Sequence, residues 1–183
     1  MGLARFLIGK LLVRERDGVQ LVGRIVETEA YTPGDPASHA YRGETKRNGA
    51  MYLDPGRAYV YLIYGTAYCM NVTTEVAGVG AAVLIRALEP VAGVDTLRAN
   101  RVGIADRDLA RGPGRLCMAL DIGPDQNGIA LDPGGPLWIA RDRRPVLEIG
   151  ESTRIGLTKA ADVPHRFYAR GSRFVSGPRV LSP

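Results

Sequence analysis

The run LVGRIVETEAY, residues 21–31, places two acids and an aromatic in alternation: Glu27, Glu29 and Tyr31 stand at i, i+2 and i+4. In an extended segment alternate side chains point to opposite faces, so these three share a face with Leu21, Gly23 and Ile25. Such a face passes from apolar to acidic and aromatic, the composition of a pocket floor. An inward carboxylate must be paired, hydrogen-bonded or put to chemical use, because burying it alone is costly. Glu29 could activate water as a general base. Glu27 and Glu29 could equally pair with Arg24, Arg42 or Arg86 at a solvated edge, and the residue types leave both readings open. As the acid and base of a sugar hydrolase the two are badly placed, since i, i+2 neighbours on a strand lie roughly 7 Å apart and point the same way. One catalytic group with one structural partner suits them better. A metal site built from Glu27, Glu29 and His39 lacks ligand spacing, the other histidine being His165.

A second run, YVYLIYGTAYCMN at residues 59–71, holds four of the eight tyrosines and ends on Asn71. As a strand it puts Tyr59 and Tyr61 on one face and Tyr64 on the other. Core packing accounts for many strand aromatics, and a platform on which nucleic-acid bases stack has the same composition. The segment GVGAAV, residues 78–83, lacks the third glycine and the preceding strand of a dinucleotide fingerprint.

The elements that must position these groups follow from patterning. Leu3 to Val13 has helix-like apolar spacing, and ERDG at 15–18 reads as a turn. A strand spans Gln20 to Tyr31. Residues 32–51, rich in Gly, Pro and charge and containing His39, form a loop too long to be an idle connection, so it is functional or mobile. Strands at 59–64 and 67–73 make a tight hairpin around Gly65-Thr66. A strand over 81–88 shows Leu84, Arg86 and Leu88 on one face and ends at Glu89-Pro90. Helices occupy 94–100 and 113–119, the second started by Pro113 with free first-turn amides beside Arg115. The remainder is turn-rich, with short strands near Trp138 and Ile155, and closes on HRFYARGSRF at 165–174. The pattern predicts one mixed α/β (α+β) domain over residues 1–183 with a mainly antiparallel sheet.

Composition narrows the class. The 183 residues suit one domain with a sizeable core, since two would be cramped. The net charge of +5 points to a polyanionic partner. Only three basic residues are lysines (Lys10, Lys46 and Lys159); the rest are arginines, whose forks suit phosphate oxygens. No apolar stretch approaches the roughly 20 residues of a membrane span. The first residues, broken by Lys10, lack a secretory cleavage site, so a cytoplasmic protein is expected. Cys69 and Cys117 have neither metal nor disulfide-framework spacing and read as buried thiols.

Together these runs resemble the alkyladenine (3-methyladenine) DNA glycosylase family. The matching pieces are GRIVETEAY at 23–31, His39 in the loop, RN at 47–48, YVYLIYG at 59–65 and CMN at 69–71. LIRALEP at 84–90, GPGRLCMAL at 112–120 and RFYARGS at 166–172 continue in the same order, covering nearly the whole chain. The resemblance implies a curved sheet with surrounding helices and a protruding β-hairpin. It also implies a monomeric, cofactor-free enzyme, associated with the nucleoid through DNA. That enzyme flips an alkylated or deaminated purine out of duplex DNA and hydrolyses its N-glycosidic bond. Carried over by motif, Glu29 is the general base, and Arg86 lies at the pocket edge near the water and the DNA backbone. Tyr31 stacks on one face of the flipped base, with His39 and Tyr61 on the other, and Asn71 obstructs the exocyclic amine of guanine. Tyr64, with Gly65 and Thr66 at the hairpin tip, wedges into the minor groove, while Arg47, Arg115 and Arg170 meet phosphates. Thr66 and Ala67 are small where animal members carry bulkier residues. The fold is also similar to the carboxy-terminal domain of methionyl-tRNA formyltransferase, so a non-enzymatic nucleic-acid-binding module is the alternative.

Overall fold

The helix predicted over Leu3 to Val13 is divided. α1 (Gly2–Leu7) ends ahead of Gly9, which sits at φ 82, and Leu11–Arg16 is a strand, β1. The cause lies just beyond it. Asp17 and Gly18, at φ 51 and 77, make a two-residue turn that sets Arg16 opposite Val19. Asp-Gly is a strong hairpin signal because a tight turn of this kind needs positive φ at both positions. ERDG is therefore a hairpin tip, and it folds β1 back onto β2 (Val19–Tyr31).

The computed structural model describes residues 1–145 and 148–177. β3 (Ala58–Ile63) and β4 (Ala67–Thr73) form the expected hairpin, followed by β5 (Ala82–Ala92), α2 (Val94–Asn100) and α3 (Pro113–Leu120). Three short strands complete the sheet: β6 (Leu137–Ala140), β7 (Ile149–Ser152) and β8 (Arg166–Ala169). The predicted strand near Ile155 is thus β7, which ends before it and leaves Ile155 in a loop. The strand order is β3-β4-β5-β2-β1-β6, with β8 beside the second half of β2 and β7 outside β8; every pairing is antiparallel.

β5 does not stop at Glu89-Pro90. Pro90 lies opposite Gly23, next to a register shift between Val22 and Gly23. A proline, which cannot donate to a ladder, is tolerated at such a bulge. Further shifts flank Glu27 where β2 meets β5, and bulges of this kind bend and twist a strand. Gly23 fits the bend because a Cβ there would lie 2.8 Å from Leu88.

Apolar residues of all three helices (Leu7, Leu97, Leu116 and Leu120) join Leu12, Leu21, Ile25, Ile85 and Leu88 in one buried cluster. Burying each such side chain contributes about 1.5–3 kcal/mol. The Thr28 hydroxyl donates to the Ala4 carbonyl (2.8 Å), so Thr28 faces α1 while its neighbours Glu27 and Glu29 face the other way. A smaller cluster of Met51, Tyr59 and Ala82, packed by Tyr52 and Tyr61, sits under the loop of residues 32–51. The result is a single domain of mixed α/β character with a mainly antiparallel, curled sheet. Among the described residues no helix is long and apolar enough to cross a membrane.

Candidate active site

Glu27 and Glu29 are both fully buried, and their surroundings differ. At Oε1, Glu27 accepts from Arg86 Nε (3.1 Å), Arg166 Nε (2.6 Å) and the Ser176 hydroxyl (3.0 Å); at Oε2 it accepts from the Ser176 N–H (2.7 Å). Glu29 accepts from the Ile155 N–H at Oε1 (2.8 Å) and from the Tyr31 hydroxyl at Oε2 (2.9 Å), and its Oε1 lies 3.2 Å from Arg86 Nη1. A carboxylate offers about four acceptor positions. Glu27 takes four contacts, three of them on Oε1; among the described residues, Glu29 takes three and keeps a position on Oε2, and its three partners all line the cavity described below, whereas of the partners of Glu27 only Arg86 does. Of the three arginines considered as partners, only Arg86 meets the acids, and it does so in the interior. Arg24 pairs with Asp142 (3.3 Å), and Arg42 lines a separate cavity.

Burial works against the charge on Arg86, but the Glu29 and Glu27 carboxylates beside it hold its pKa above the usual arginine value. Burial, and then the adjacent Glu29 charge and hydrogen bond, push the Tyr31 hydroxyl well up, so it stays protonated and donates.

A cavity of about 500 Å³ opens at this point, with Tyr31, Arg86 and Ile155, three residues in contact with Glu29, in its wall. That volume is typical of a small-molecule site. His39, Tyr59, Tyr61, Cys69, Asn71 and Leu84 continue the lining. As β3 alternation predicts, Tyr59 and Tyr61 share a face, with ring centres 5.2 Å apart. His39 stands edge-on to Tyr61 at 4.5 Å, and its Nδ1 lies 2.9 Å from the Tyr59 hydroxyl. Burial, helped by the Arg47 charge, lowers the His39 pKa and favours the neutral ring. Burial pushes the Tyr59 hydroxyl up to about 12 and raises Tyr61 as well. Asn71, opposite Tyr59 on one side and Leu84 on the other, donates its Nδ2 to the Tyr59 carbonyl (3.0 Å).

The loop that carries His39 is pinned. Asn48 Nδ2 donates to the carbonyls of His39 (2.9 Å) and Gly43 (3.0 Å), and its Oδ1 accepts from the Thr45 hydroxyl (3.0 Å). Asp35 forms a buried ion pair with Arg154, whose Nη2 reaches Asp35 Oδ1 at 3.1 Å. The same guanidinium lies 4.7 Å from the Tyr31 ring centre, fixing that ring against the loop.

Tyr64 belongs to the hairpin turn rather than to the strand. Ile63 pairs with Ala67, so Tyr64, Gly65 and Thr66 form the tip, and the Thr66 N–H donates to the Ile63 carbonyl (3.2 Å). Tyr64 has φ 51, a left-handed conformation that costs a side-chain-bearing residue about 1–2 kcal/mol. Its ring is 88% exposed at the cavity mouth, so no packing offsets that strain. Ala67 packs against the first turn of α3, where a Cβ on Gly114 would come within 2.9 Å of it, so position 114 has room only for glycine. Pro113 of the same turn lines the cavity, and no side chain caps that turn.

The predicted basic residues divide. Arg47 lines the cavity, donates to the Leu62 carbonyl (3.2 Å) and lies 5.9 Å from the Tyr61 ring centre. Arg115, half-exposed on α3, lies 3.8 Å from Asp108. Arg170, just beyond β8, pairs with Glu148 (3.2 Å) and is not part of the cavity lining. Glu29, Tyr31, His39, Tyr61, Asn71, Arg86, Tyr64 and Arg47 are therefore brought together, and Arg170 is not.

Sequence reasoning missed five contributors: Tyr59, Arg154, Arg166, Ser176 and the Ile155 N–H. Tyr59 had a signal, one strand period before Tyr61. Arg166 had a weaker one, a charge at the start of an otherwise apolar and aromatic strand segment, RFYA. Backbone donors have no residue-type signature. Among the described residues no group of three His, Cys, Asp or Glu side chains could hold a metal ion.

A family model described as Methylpurine-DNA glycosylase (MPG) matches residues 1–173. A relative from Mesorhizobium japonicum is 56% identical over 179 residues, covering 98% of this chain and 86% of its own. Relatives from Paraburkholderia phytofirmans (50% identical; 98% and 84% covered) and Methanoculleus marisnigri (51% identical; 95% and 92% covered) are similar over the same span. All three bear the name "Putative 3-methyladenine DNA glycosylase".

Proposed function

The chain belongs to the methylpurine-DNA glycosylase family, and from that premise we propose how it cleaves the N-glycosidic bond of a damaged purine in duplex DNA. It is a DNA glycosylase, a hydrolase of N-glycosidic bonds. The observation that carries the mechanism is the open acceptor position on Glu29, a buried carboxylate directly behind the wall of the aromatic cavity.

A purine flipped out of the stack enters the cavity, with Tyr31 on one face and His39 and Tyr61 on the other. Asn71 sits where it obstructs the exocyclic amine of guanine. Water held on Glu29 Oε2 attacks the sugar C1′; its proton passes to Glu29, and the electrons of the N-glycosidic bond leave with the purine. The sugar becomes cation-like on the way, so the carboxylate both orients the water and stabilises positive charge. Arg86 holds Glu29 in place through the contact of its Nη1. A base alkylated at N3 or N7 carries its own positive charge and leaves readily, attracted to tyrosine faces by about 0.5–2 kcal/mol. A deaminated purine has neither advantage and must gain a proton to leave.

Tyr64 fills the vacated stack from the hairpin tip formed with Gly65 and Thr66. Arg47 and Arg115 flank that tip on the phosphate backbone, and Arg170 provides a more distant contact. The enzyme acts as a cytoplasmic monomer on the nucleoid and needs no cofactor. A module that only binds nucleic acid would have no use for a buried carboxylate behind an aromatic cavity. The deciding assay measures free base released from duplexes carrying 3-methyladenine, 7-methylguanine, hypoxanthine or ethenoadenine, with Glu29→Gln run beside the wild type. Failure to release any of them from wild-type incubations would overturn the reading.

A further inference from the structure

Two acids and two arginines meet inside the protein, and of the four only Arg86 reaches the cavity wall. Glu27 and Glu29 are fully buried, Arg166 is 2% exposed and Arg86 is 8% exposed. Arg86 bridges the acids, Nε on Glu27 and Nη1 on Glu29. Arg166 reaches Glu27 from β8, where its Cα is the register partner of Glu29. Arg166 also donates to the Ser152 hydroxyl (2.9 Å) and the Ser176 carbonyl (2.7 Å), and Ser176 returns its hydroxyl and N–H to Glu27. Glu27 never reaches the cavity lining, and neither do Arg166 and Ser176.

We propose that Glu27, Arg166 and Ser176 are positioning residues for the hydrolysis. They hold Arg86 so that Nη1 meets Glu29, and they keep the buried cluster electrically neutral around the base. Several features support this. The Arg86 guanidinium is planar and rigid, so fixing Nε on Glu27 fixes the direction in which Nη1 meets Glu29. Glu27 is in turn fixed by partners from β5, β8 and the segment after β8, so its orientation is set from three sides. Two negative and two positive charges sum to zero. Removing either sign leaves an uncompensated charge next to Glu29, in an interior where charges interact far more strongly than in water.

Other groups around Glu29 would not mask the effect. Tyr31 on β2 donates to it as a neutral hydroxyl. Cys69 on β4 has its thiol pushed up by burial and stays neutral. On the loop side Arg154 is compensated by its buried partner Asp35, with burial and Arg154 together lowering the nearby His165 pKa.

This inference rests on Glu29 being the base, and the test separates the two. Single-turnover excision of one lesion, in one duplex, is followed against pH for the full-length wild type, Glu29→Gln, Glu27→Gln, Arg166→Gln and the double variant Glu27→Gln/Arg166→Gln. A general base works only when deprotonated, so activity falls on the acid side. Glu27→Gln removes a negative charge, makes Glu29 easier to ionise, and should move the acid limb down by about one pH unit, the lower range for loss of a close charge. Arg166→Gln removes a positive charge and should move it up by about as much. The double variant is neutral again and should return the limb toward the wild-type position. Ser176→Ala changes no charge; it should lower the plateau rate and leave the limb in place.

Merely structural residues would give slower or less stable variants with the limb unmoved, or moved in the same direction by both single changes; either result overturns the proposal. If Arg166→Gln does not fold, Glu27→Gln alone decides, since an unmoved or raised limb is incompatible with it. A Glu29→Gln variant that keeps both its rate and its acid limb would instead remove the base assignment itself.

Discussion

Glu27 accepts four hydrogen bonds, whereas Glu29, two residues further along the same face of β2, accepts two and an ion pair. The partners of Glu29 (Tyr31, Ile155 and Arg86) all line the cavity, whereas of those of Glu27 only Arg86 does. The difference arises far away in the chain: the Ser176 N–H on Glu27 comes from 149 residues on, and the Ile155 N–H on Glu29 from 126 residues on.

Glu29→Gln keeps the shape and removes the base, so excision should fall at least about 100-fold, the lower range for loss of general-base catalysis. Binding to a lesion-bearing duplex should survive, as read by gel shift or anisotropy. At neutral pH Glu27→Gln should keep more activity than Glu29→Gln. The reverse order of the two variants would transfer the catalytic role to Glu27.

Asp35 offers a stability test of the pinned loop. Burial alone would raise its pKa, but hydrogen bonds from Arg154 and the Ala37 N–H hold it below the ordinary 3.8. A carboxyl depressed in the folded state contributes stability that is fully present above its unfolded value, here 3.8, and is lost as pH falls through the lower folded value. Asp35→Asn should therefore melt earlier at neutral pH and decline less steeply in acid. At neutral pH it should cost about 3–5 kcal/mol, the usual result of leaving one member of a buried pair unpaired. Melting curves across acid pH check this, and parallel curves for the two proteins would refute the contribution.

Alternation carried much of this site in the sequence. ETEAY on one strand puts Glu29, Tyr31 and Glu27 together, YVY does the same for Tyr59 and Tyr61, and LIRAL faces Arg86 toward the acids. Period-2 geometry needs no tertiary information. It could not divide labour between Glu27 and Glu29, because that depends on donors from β8 and the loop after β7. The β1 misreading has a local cause: Leu11, Leu12 and Val13 fit a helical stripe, and the Asp17-Gly18 turn that overrides it acts only through pairing with β2. Tyr64 was placed by strand alternation, yet its direction comes from a left-handed turn, which alternation does not describe.

Lysine placement bears on the chemistry after base release. A glycosylase that also cuts the strand attacks through an amine. No lysine lines the main cavity: Lys10 lies over the Phe6 ring (4.5 Å), and Lys159 lines a separate cavity. Lys46, exposed in the loop, is the nearest in sequence to a proposed contact, Arg47. Borohydride present during turnover should therefore trap no covalent protein–DNA adduct. A trapped species that disappears in Lys46→Ala would make the enzyme bifunctional.

The strain at Tyr64 allows wedge and packing roles to be told apart by two opposed readouts. Its ring is exposed and its backbone is left-handed, so the folded protein alone has no use for a tyrosine there. Glycine adopts this conformation freely, though it loses more entropy on folding. Tyr64→Gly should therefore leave stability unchanged or raise it by up to about 1 kcal/mol. Excision should respond in the opposite sense. A flipped base leaves a gap in the stack, and its return competes with capture by a few kcal/mol. A ring filling the gap matters most when the lesion is well paired. Tyr64→Gly and Tyr64→Ser should thus lose most activity on a paired lesion and least on one opposite a mismatch or an abasic gap. Tyr31→Ser, which removes a wall of the pocket itself, should lose similar amounts in every context. Single-turnover rates across these duplexes, beside melting curves, read both effects. Equal losses for the Tyr64 variants in all contexts, or a marked drop in their stability, would show a packed ring and leave the gap to be filled by another group.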